Sequence, residues 1–388
     1  MPHEIPLAAT LSNVEPSRIR ELADVAFAMD GVYKMHFGES DLPTPRYIKD
    51  AAVQALDEGY TFYTENAGLP GLREALAARY AEIHGVTLVP GEILITASGV
   101  QALNVSIRCV IDPGDEAIVL TPNWPNAAAI VNLYGGNAVE IPFVKDGDRH
   151  TIDFAVLESA LSRKTKLLAF TSPSNPMGWV ASLDEQQKLL DFCRCNDLWL
   201  LADEVYEHIY YNGPVAPSIL RLCDRNDAVI VVQSFSKTYR MTGWRLGWVV
   251  SRPDLVDRAA QLNEFIVSHA PAMVQRAGEI ALRHGESNIH DMVDTYHKRI
   301  SFCYDALNST DGVSVSPPDG AFYLFPSIEG VSDSFAFALE LLNRQRVSVA
   351  PGIAFGEGGE GSVRLCCASD PSVLEPAMEH FCRYVEQR

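Results

Sequence analysis

The chain has 388 residues, 47% apolar and 21% charged, which is enough length and apolar content for one large core with a smaller domain beside it. Its formal net charge of −19, from 50 acidic against 31 basic residues, argues against a nucleic-acid partner, whose phosphates bind surfaces rich in Lys and Arg. No apolar run reaches membrane-spanning length, Met1 to Pro6 shows no basic region leading into an apolar one, and eight cysteines in so long a chain are no disulfide framework, so a cytoplasmic protein with reduced thiols is expected.

A helical segment is predicted from Ser17 to Met29, then an extended run from Val32 to Phe37 ending at Gly38-Glu39-Ser40-Asp41. Thr44 as N-cap and Pro45 in the first turn start a second helix, with Ile48, Ala52, Ala55 and Leu56 as its buried stripe and Gly59 as its stop. A third helix runs from about Pro70 to Gly85 with Leu72, Leu76, Tyr80 and Ile83 on one side. From Glu92 apolar runs of strand length alternate with helical segments. Strands are expected near Ile93–Ala97, Ala117–Thr121, Val139–Phe143, Leu167–Thr171, Leu198–Ala202, Val229–Val232 and Gly247–Val250. This alternation predicts an α/β fold, a mainly parallel seven-stranded sheet between helices. Three helical stretches fill 253–309, the longest linking to the last part of the chain. That part reads as strand Ala321–Phe325, helix Ser334–Gln345, strands Val347–Val349 and Val363–Cys366, and helix Pro371–Glu386. We therefore divide the chain into a large domain, 45–285, and a smaller α/β domain built from 1–44 and 286–388. Cys193 and Cys195 fall in a helical pattern and Cys366 and Cys367 in a strand, so the side chains of each pair point apart and no metal site is expected.

In such sheets ligands bind at the carboxyl ends of the strands, and the chemically loaded residues fall there. Lys237, in Ser234-Phe235-Ser236-Lys237 and read as part of a loop after a strand, is flanked by hydroxyls and followed by Arg245. A desolvated amine forms a Schiff base with an aldehyde, while hydroxyls and a guanidinium hold a phosphate dianion; taken alone, the stretch is equally a solvated surface lysine. Ser98-Gly99-Val100-Gln101 opens a helix whose free N–H groups suit a phosphate, or is a plain strand–helix turn. Asp203, after the apolar run Leu198–Ala202, has a half-buried carboxylate that a ring N–H would satisfy, with Tyr206 placed for a ring hydroxyl. An ordinary Asp-Glu turn, in which Glu204 serves as well, is the alternative. Asn175, in Pro173-Ser174-Asn175-Pro176-Met177-Gly178, donates to a ring oxygen or only turns the chain. Trp124, in Pro122-Asn123-Trp124-Pro125, stacks on a flat heterocycle or plugs the sheet edge. Arg364, inside an apolar strand, takes a substrate carboxylate or an internal ion pair. Gly356 to Gly361 formally matches G-x-G-x-x-G, but a strand follows it and its two glutamates would repel a pyrophosphate, so it is rejected as a dinucleotide site.

With these pieces in this order the chain resembles the class I/II pyridoxal-phosphate aminotransferases of fold type I over nearly its whole length. The resemblance rests on Gly38-Glu39-Ser40-Asp41-Leu42-Pro43-Thr44-Pro45, Tyr63-Thr64 with Gly68 and Gly71-Leu72-Arg73-Glu74, Pro173-Ser174-Asn175-Pro176 and Ala202-Asp203-Glu204-Val205-Tyr206. The Lys237 stretch, Gly320-Ala321-Phe322-Tyr323, Pro351-Gly352-Ile353-Ala354-Phe355-Gly356 and Val363-Arg364-Leu365 complete it. It implies pyridoxal 5'-phosphate linked to Lys237, with Asp203 on the pyridine nitrogen, Tyr206 and Asn175 on the ring oxygen and Trp124 on the ring face. Ser234, Ser236, Arg245 and the amides of Gly99, Val100 and Gln101 would hold the phosphate. Arg364 would clamp the substrate α-carboxylate beside the Gly38 backbone, Trp124 and Asn175. A homodimer in which Tyr63 reaches the partner's phosphate is implied as well. The implied reaction moves an amino group between an L-amino acid and a 2-oxo acid, with Lys237 as base. A lyase, cyclase or oxidase on the same scaffold, and a non-catalytic cofactor-binding regulator, are the other readings. Some similar bacterial aspartate aminotransferases have a lysine where this chain has Val100, so a substrate side chain not read there as an acid is expected. Met177, where the pattern usually has a threonine, and Asn123, in place of a common aromatic, are expected to reshape the pocket. His36 either lines it or packs at a strand end.

Overall fold

The apolar runs between Ile93 and Ser251 join into one sheet. The computed structural model, which describes residues 16–388, has them as β1 Ile93–Thr96, β2 Glu116–Thr121, β3 Asn137–Pro142, β4 Thr165–Thr171, β5 Trp199–Asp203, β6 Val229–Ser234 and β7 Gly247–Ser251. Their order across the sheet is β1-β7-β6-β5-β4-β2-β3. β7 is antiparallel to both neighbours and every other pair is parallel, which makes the sheet mainly parallel as expected. Helices cover both faces, so successive residues of one strand enter different cores. Ile95, Ile118, Leu120, Phe170, Leu200 and Val231 pack on one side; Leu94, Val119, Ala169, Leu201, Ile230 and Val249 pack on the other.

The helices that position the site are α1 Arg18–Phe27, α2 Arg46–Asp57, α3 Pro70–His84 and α4 Gly99–Val110. Thr44 does not cap α2. Pro45 takes the cap position without a side-chain bond, and Thr44 Oγ1 donates instead to the Arg240 carbonyl at 2.5 Å. The expected stripe of α2 is buried at Ile48, Ala52 and Ala55 but not at Leu56, which is exposed.

A separate core gathers Leu22 and Met35 with Ile300, Phe337, Leu341, Leu365, Leu374 and Phe381. Around it, Val363–Cys366 pairs antiparallel with Tyr323–Leu324 and with Ala350–Pro351, and Tyr33–Lys34 pairs parallel with Val347–Ser348. The strand expected over Ala321–Phe325 is only two residues long, because Ala321 turns the chain at φ +57°. The 23-residue helix Glu286–Asn308 sends Ile300, Cys303 and Leu307 into this core. Its Met292 and Tyr296 meet Tyr206, Phe322 and Tyr323. The eight cysteines are free. Among the described residues no helix is long and apolar enough to cross a membrane, and no His/Cys/Asp/Glu cluster has the makings of a metal site.

β7 lies hard against the start of α4. A Cβ added to Gly247 would stand 2.5 Å from the Gly99 nitrogen and 2.6 Å from the Ser98 carbonyl carbon, so two backbones would collide. Gly247→Ala is therefore expected to destabilise the cofactor-free protein by about 1–3 kcal/mol in urea unfolding, since neither backbone is free to retreat. An unchanged midpoint would show that this contact relaxes freely.

Candidate active site

Lys237 lies not in a loop but in a helical turn, Phe235–Thr238, that begins directly after β6. Ser234 caps the turn, its Oγ accepting from the Ser236 N–H at 3.1 Å, and fully buried Phe235 pins it against Tyr239 and Trp248. The turn brings Lys237 inward, where Nζ donates to the Gly38 carbonyl at 2.5 Å and stands 5.7 Å from the centre of the Tyr206 ring. Loss of water around the amine, with the positive charges of Arg364 and Arg245 near it, lowers its pKa to about 8. Lys237 faces a cavity of about 200 Å³ at the carboxyl ends of the strands.

Asp203 ends β5 and lines the same cavity. It accepts from the Val205 N–H at 3.3 Å, yet burial dominates and raises its carboxyl to about 7. A cation on the open side would restore its charge. Glu204 is no substitute: it accepts from the Ile219 N–H at 2.9 Å and lies outside the cavity. On the turn after β5 the Tyr206 hydroxyl meets that of Tyr323 at 2.7 Å, and burial holds both phenols neutral, well above their ordinary range.

The start of α4 forms another wall. Ser98, at φ +130°, caps the helix by accepting the Gln101 N–H at 3.1 Å. The Gln101 N–H is taken by Ser98 Oγ, its side chain donates to Asn263 Oδ1, and Gln101 does not line the cavity, so of the three expected residues only Gly99 and Val100 line it. A Cβ on Gly99 would come within 3.1 Å of the Ser234 Cβ, so this backbone sits as close to Ser234 as a glycine allows. Ser234 and Ser236 share a hydroxyl bond of 2.9 Å. Arg245, left-handed at φ +56°, is tied by Nη1 to the Thr242 carbonyl at 2.6 Å.

Arg364 enters from the second core. It is 1% exposed, donates from Nη1 to Asn175 Oδ1 at 3.0 Å and from Nη2 to the His36 carbonyl, and its guanidinium lies 4.6 Å from the centre of the Tyr323 ring. Both bonds are to neutral oxygens, so it keeps unpaired N–H groups for a carboxylate. The same bond occupies the Asn175 oxygen and leaves its NH2 group for the cavity. Trp124 is half-buried in the wall; its backbone N–H and Thr171 Oγ1 both donate to Asn123 Oδ1 at 2.7 Å. Asn123 thus anchors Trp124 from behind and does not itself line the pocket.

Met177 does not shape this pocket either, since it lines a different cavity with Arg149 and Asp319. The His36 ring packs on Phe27 and Phe37 outside the cavity, and burial lowers its pKa to about 4, so it stays neutral beside Arg364. Tyr63 is 90% exposed, edge-on to His269, and outside the cavity of its own chain. The rejected glycine run is a packing wedge. A side chain on Gly356 would strike Thr121, and the neighbouring Phe355 carbonyl accepts from the Asn123 N–H at 2.9 Å. Tyr323, Thr171, Val205 and Thr242 line the cavity without having been marked as site residues from the sequence. Their side chains carry no local signal, because each becomes part of the site only through contacts distant in the chain.

The donor set fits pyridoxal 5'-phosphate. Two hydroxyls, a guanidinium and helix N–H groups suit a dianion, a buried carboxylate lacking a cation suits a pyridinium, and a half-desolvated lysine suits an aldehyde. The profile described as "Aminotransferase class I and II" matches residues 31–381. The chain is 35% identical to a putative aminotransferase, YugH, of Bacillus subtilis, over 98% of each chain. It is 34% identical to an aspartate aminotransferase of Pyrococcus horikoshii, covering 96% of this chain and 95% of that one. The crystal structure of an aromatic aminotransferase from the same archaeon superposes with a TM-score of 0.88 at 34% identity, over 95% of this chain and 99% of that one. The chain belongs to the class I and II aminotransferases, and with pyridoxal 5'-phosphate as its cofactor it moves amino groups between amino acids and 2-oxo acids.

Proposed function

We propose that this aminotransferase acts on amino acids whose side chains carry no distal acid, with the residues of the cavity in the following roles. The observation that carries the reading is the count of cations. Lys237, Arg245 and Arg364 are the cationic side chains of the lining, each has a task, and the mouth beside them is walled by Val100 and Leu103. Val100 is 45% exposed there and offers nothing to a second carboxylate.

Bound pyridoxal 5'-phosphate supplies the sink for the electron pair left when the substrate Cα loses its proton. Asp203 pairs with the ring nitrogen and keeps it protonated. Tyr206 and the Asn175 NH2 group donate to the ring oxygen, Trp124 covers the ring face, and Ser234, Ser236, Arg245 and the Gly99 and Val100 amides hold the phosphate. Arg364, held by Asn175 and the His36 carbonyl, orients the α-carboxylate. Lys237 Nζ would take the Cα proton and deliver it not back to Cα but to the former aldehyde carbon on the other side of the substrate nitrogen; its lowered pKa keeps a useful fraction unprotonated near neutrality.

We further infer a homodimer in the cytoplasm. Phe62, Tyr63 and Phe265 are 80%, 90% and 87% exposed, an apolar surface that a second copy would cover, with Tyr63 reaching the partner's phosphate. The two cores support the division into a large domain, 45–285, and a smaller one from the remaining segments. Sedimentation should give a dimer mass that falls toward the monomer in Phe62→Asp/Phe265→Asp; a monomeric parent would overturn the assembly.

Amino acids added singly to the cofactor-loaded protein, with the visible spectrum followed, should show aromatic and aliphatic donors reacting at least about ten-fold faster than aspartate. Val100→Lys should narrow that gap. A native preference for aspartate would refute the specificity reading, and Lys237→Ala should transfer no amino group at all.

Asp203 gives a pH-dependent check. Its folded pKa of about 7 lies above the ordinary 3.8, so the folded cofactor-free protein holds a proton that the unfolded chain releases, and stability falls as pH rises between these values. Cofactor-free Asp203→Asn escapes that loss. It should be more stable than the parent at pH 8, by on the order of a few kcal/mol, with the gap closing near pH 4 in thermal unfolding. With cofactor the order should reverse.

A further inference from the structure

Tyr323 lies on the two-residue strand Tyr323–Leu324, opposite Cys366 on the strand that carries Arg364. It has no exposed surface outside the cavity it lines, and it is 117 residues from Tyr206, whose hydroxyl it meets at 2.7 Å. Each phenol has one hydrogen, so only one of the two donates to the other. The surroundings decide which. Over the Tyr323 ring, at 4.6 Å, lies the Arg364 guanidinium, which accepts nothing. On the near side is Gly38, packed so closely that a Cβ there would overlap the Tyr323 hydroxyl; its carbonyl accepts from Lys237 Nζ and makes no hydrogen bond with Tyr323. Among the described residues Tyr206 is the one hydrogen-bond partner of the Tyr323 hydroxyl. If Tyr206 donated to Tyr323, the Tyr323 hydrogen would have no acceptor among the described residues, at the cost of an unmade bond at a buried hydroxyl. In the opposite arrangement both hydrogens are used.

We propose that Tyr323 is a positioning residue: it donates to the Tyr206 oxygen and so turns the Tyr206 hydrogen toward the cavity, making Tyr206 a committed donor to the oxygen it faces there. The proposal rests on the reading of Tyr206 as the partner of the cofactor's ring oxygen. A hydroxyl that accepts one bond donates a stronger one, so Tyr323 also strengthens that contact. The ring of Tyr323, seated under Arg364, is a separate contribution that a phenyl group would keep.

The test uses full-length Tyr323→Phe, Tyr206→Phe and the double variant, each loaded with pyridoxal 5'-phosphate and titrated by visible absorption across neutral pH. Arg364, Asp203, Lys237, Cys366 and Tyr296, the titratable and charged groups around the pair, are the same in all. A donor to the ring oxygen favours the form in which that oxygen is anionic and the linkage to Lys237 has lost its proton. Losing the donor therefore moves the midpoint up. Tyr206→Phe should raise it, and Tyr323→Phe should raise it less, by about 0.5–1 pH unit, the size of one ordinary hydrogen bond. The double variant should move no further than Tyr206→Phe, and the KM for the amino donor in Tyr323→Phe should stay within about two-fold of the parent because the ring beneath Arg364 remains. An unmoved midpoint in Tyr323→Phe, with or without a raised KM, or additive shifts in the double variant, would overturn the proposal while leaving the Tyr206 assignment standing. An unmoved midpoint in Tyr206→Phe would overturn that assignment and the proposal with it.

Discussion

A carboxylate and an amine deprived of water sit on adjacent parallel strands, Asp203 at the last residue of β5 and Lys237 on the first turn after β6. Burial pushes the acid up to about 7 and the amine down to about 8, so each charge is held against its own preference. Under the proposed roles, a cationic ring beside Asp203 and a carbonyl carbon beside Lys237 would relieve both tensions and so couple ligand binding to the chain's electrostatics. The close packing of β7 on α4 holds the start of that helix against Ser234, so the sheet sets the spacing of Asp203, Lys237 and the first residues of α4.

The cavity closes only because a second core meets this edge. Arg364 and Tyr323 come from paired strands of that core, and His36 and Gly38 from the extended segment that follows α1. His36 contributes its carbonyl to Arg364, while its ring, neutral and wedged between Phe27 and Phe37, adds no charge beside the guanidinium. A protonated imidazole there would compete with Arg364 for the carboxylate that the proposed function assigns to it. Asn175 and Asn123 act in a similar way from the sheet side. The first fixes Arg364 and the second fixes the backbone of Trp124, so small polar groups set the orientation of the larger ones.

Local chemistry was legible in the chain. All seven strands of the sheet announce themselves as apolar runs, and helices Ser334–Gln345 and Pro371–Glu386 begin where an aspartate precedes them and end where predicted. Asp203, Asn175, Trp124, Ser234, Lys237 and Arg364 all lie at strand ends or in a buried strand, and the structure brings them to one cavity. Errors arose where a distant partner outbid a local one. Thr44 gives its hydroxyl to Arg240 and not to α2, and Gln101 turns away to Asn263. Met177 follows its turn into a neighbouring cavity, and Lys237 lies in a helical turn because Ser234 caps it.

The sequence by itself determined the seven strands of the main sheet, its mainly parallel character and most of the residues that line the cavity. Each of these follows from periodicity, capping and side-chain chemistry within a few residues. Only the tertiary structure decided that Asp203 and not Glu204 faces the cavity, that Arg364 has no acidic partner among the described residues, and that Tyr206 shares its hydroxyl bond with Tyr323. These depend on contacts between segments far apart in the chain, where burial and close packing, which no local pattern encodes, choose among groups of equal chemical promise.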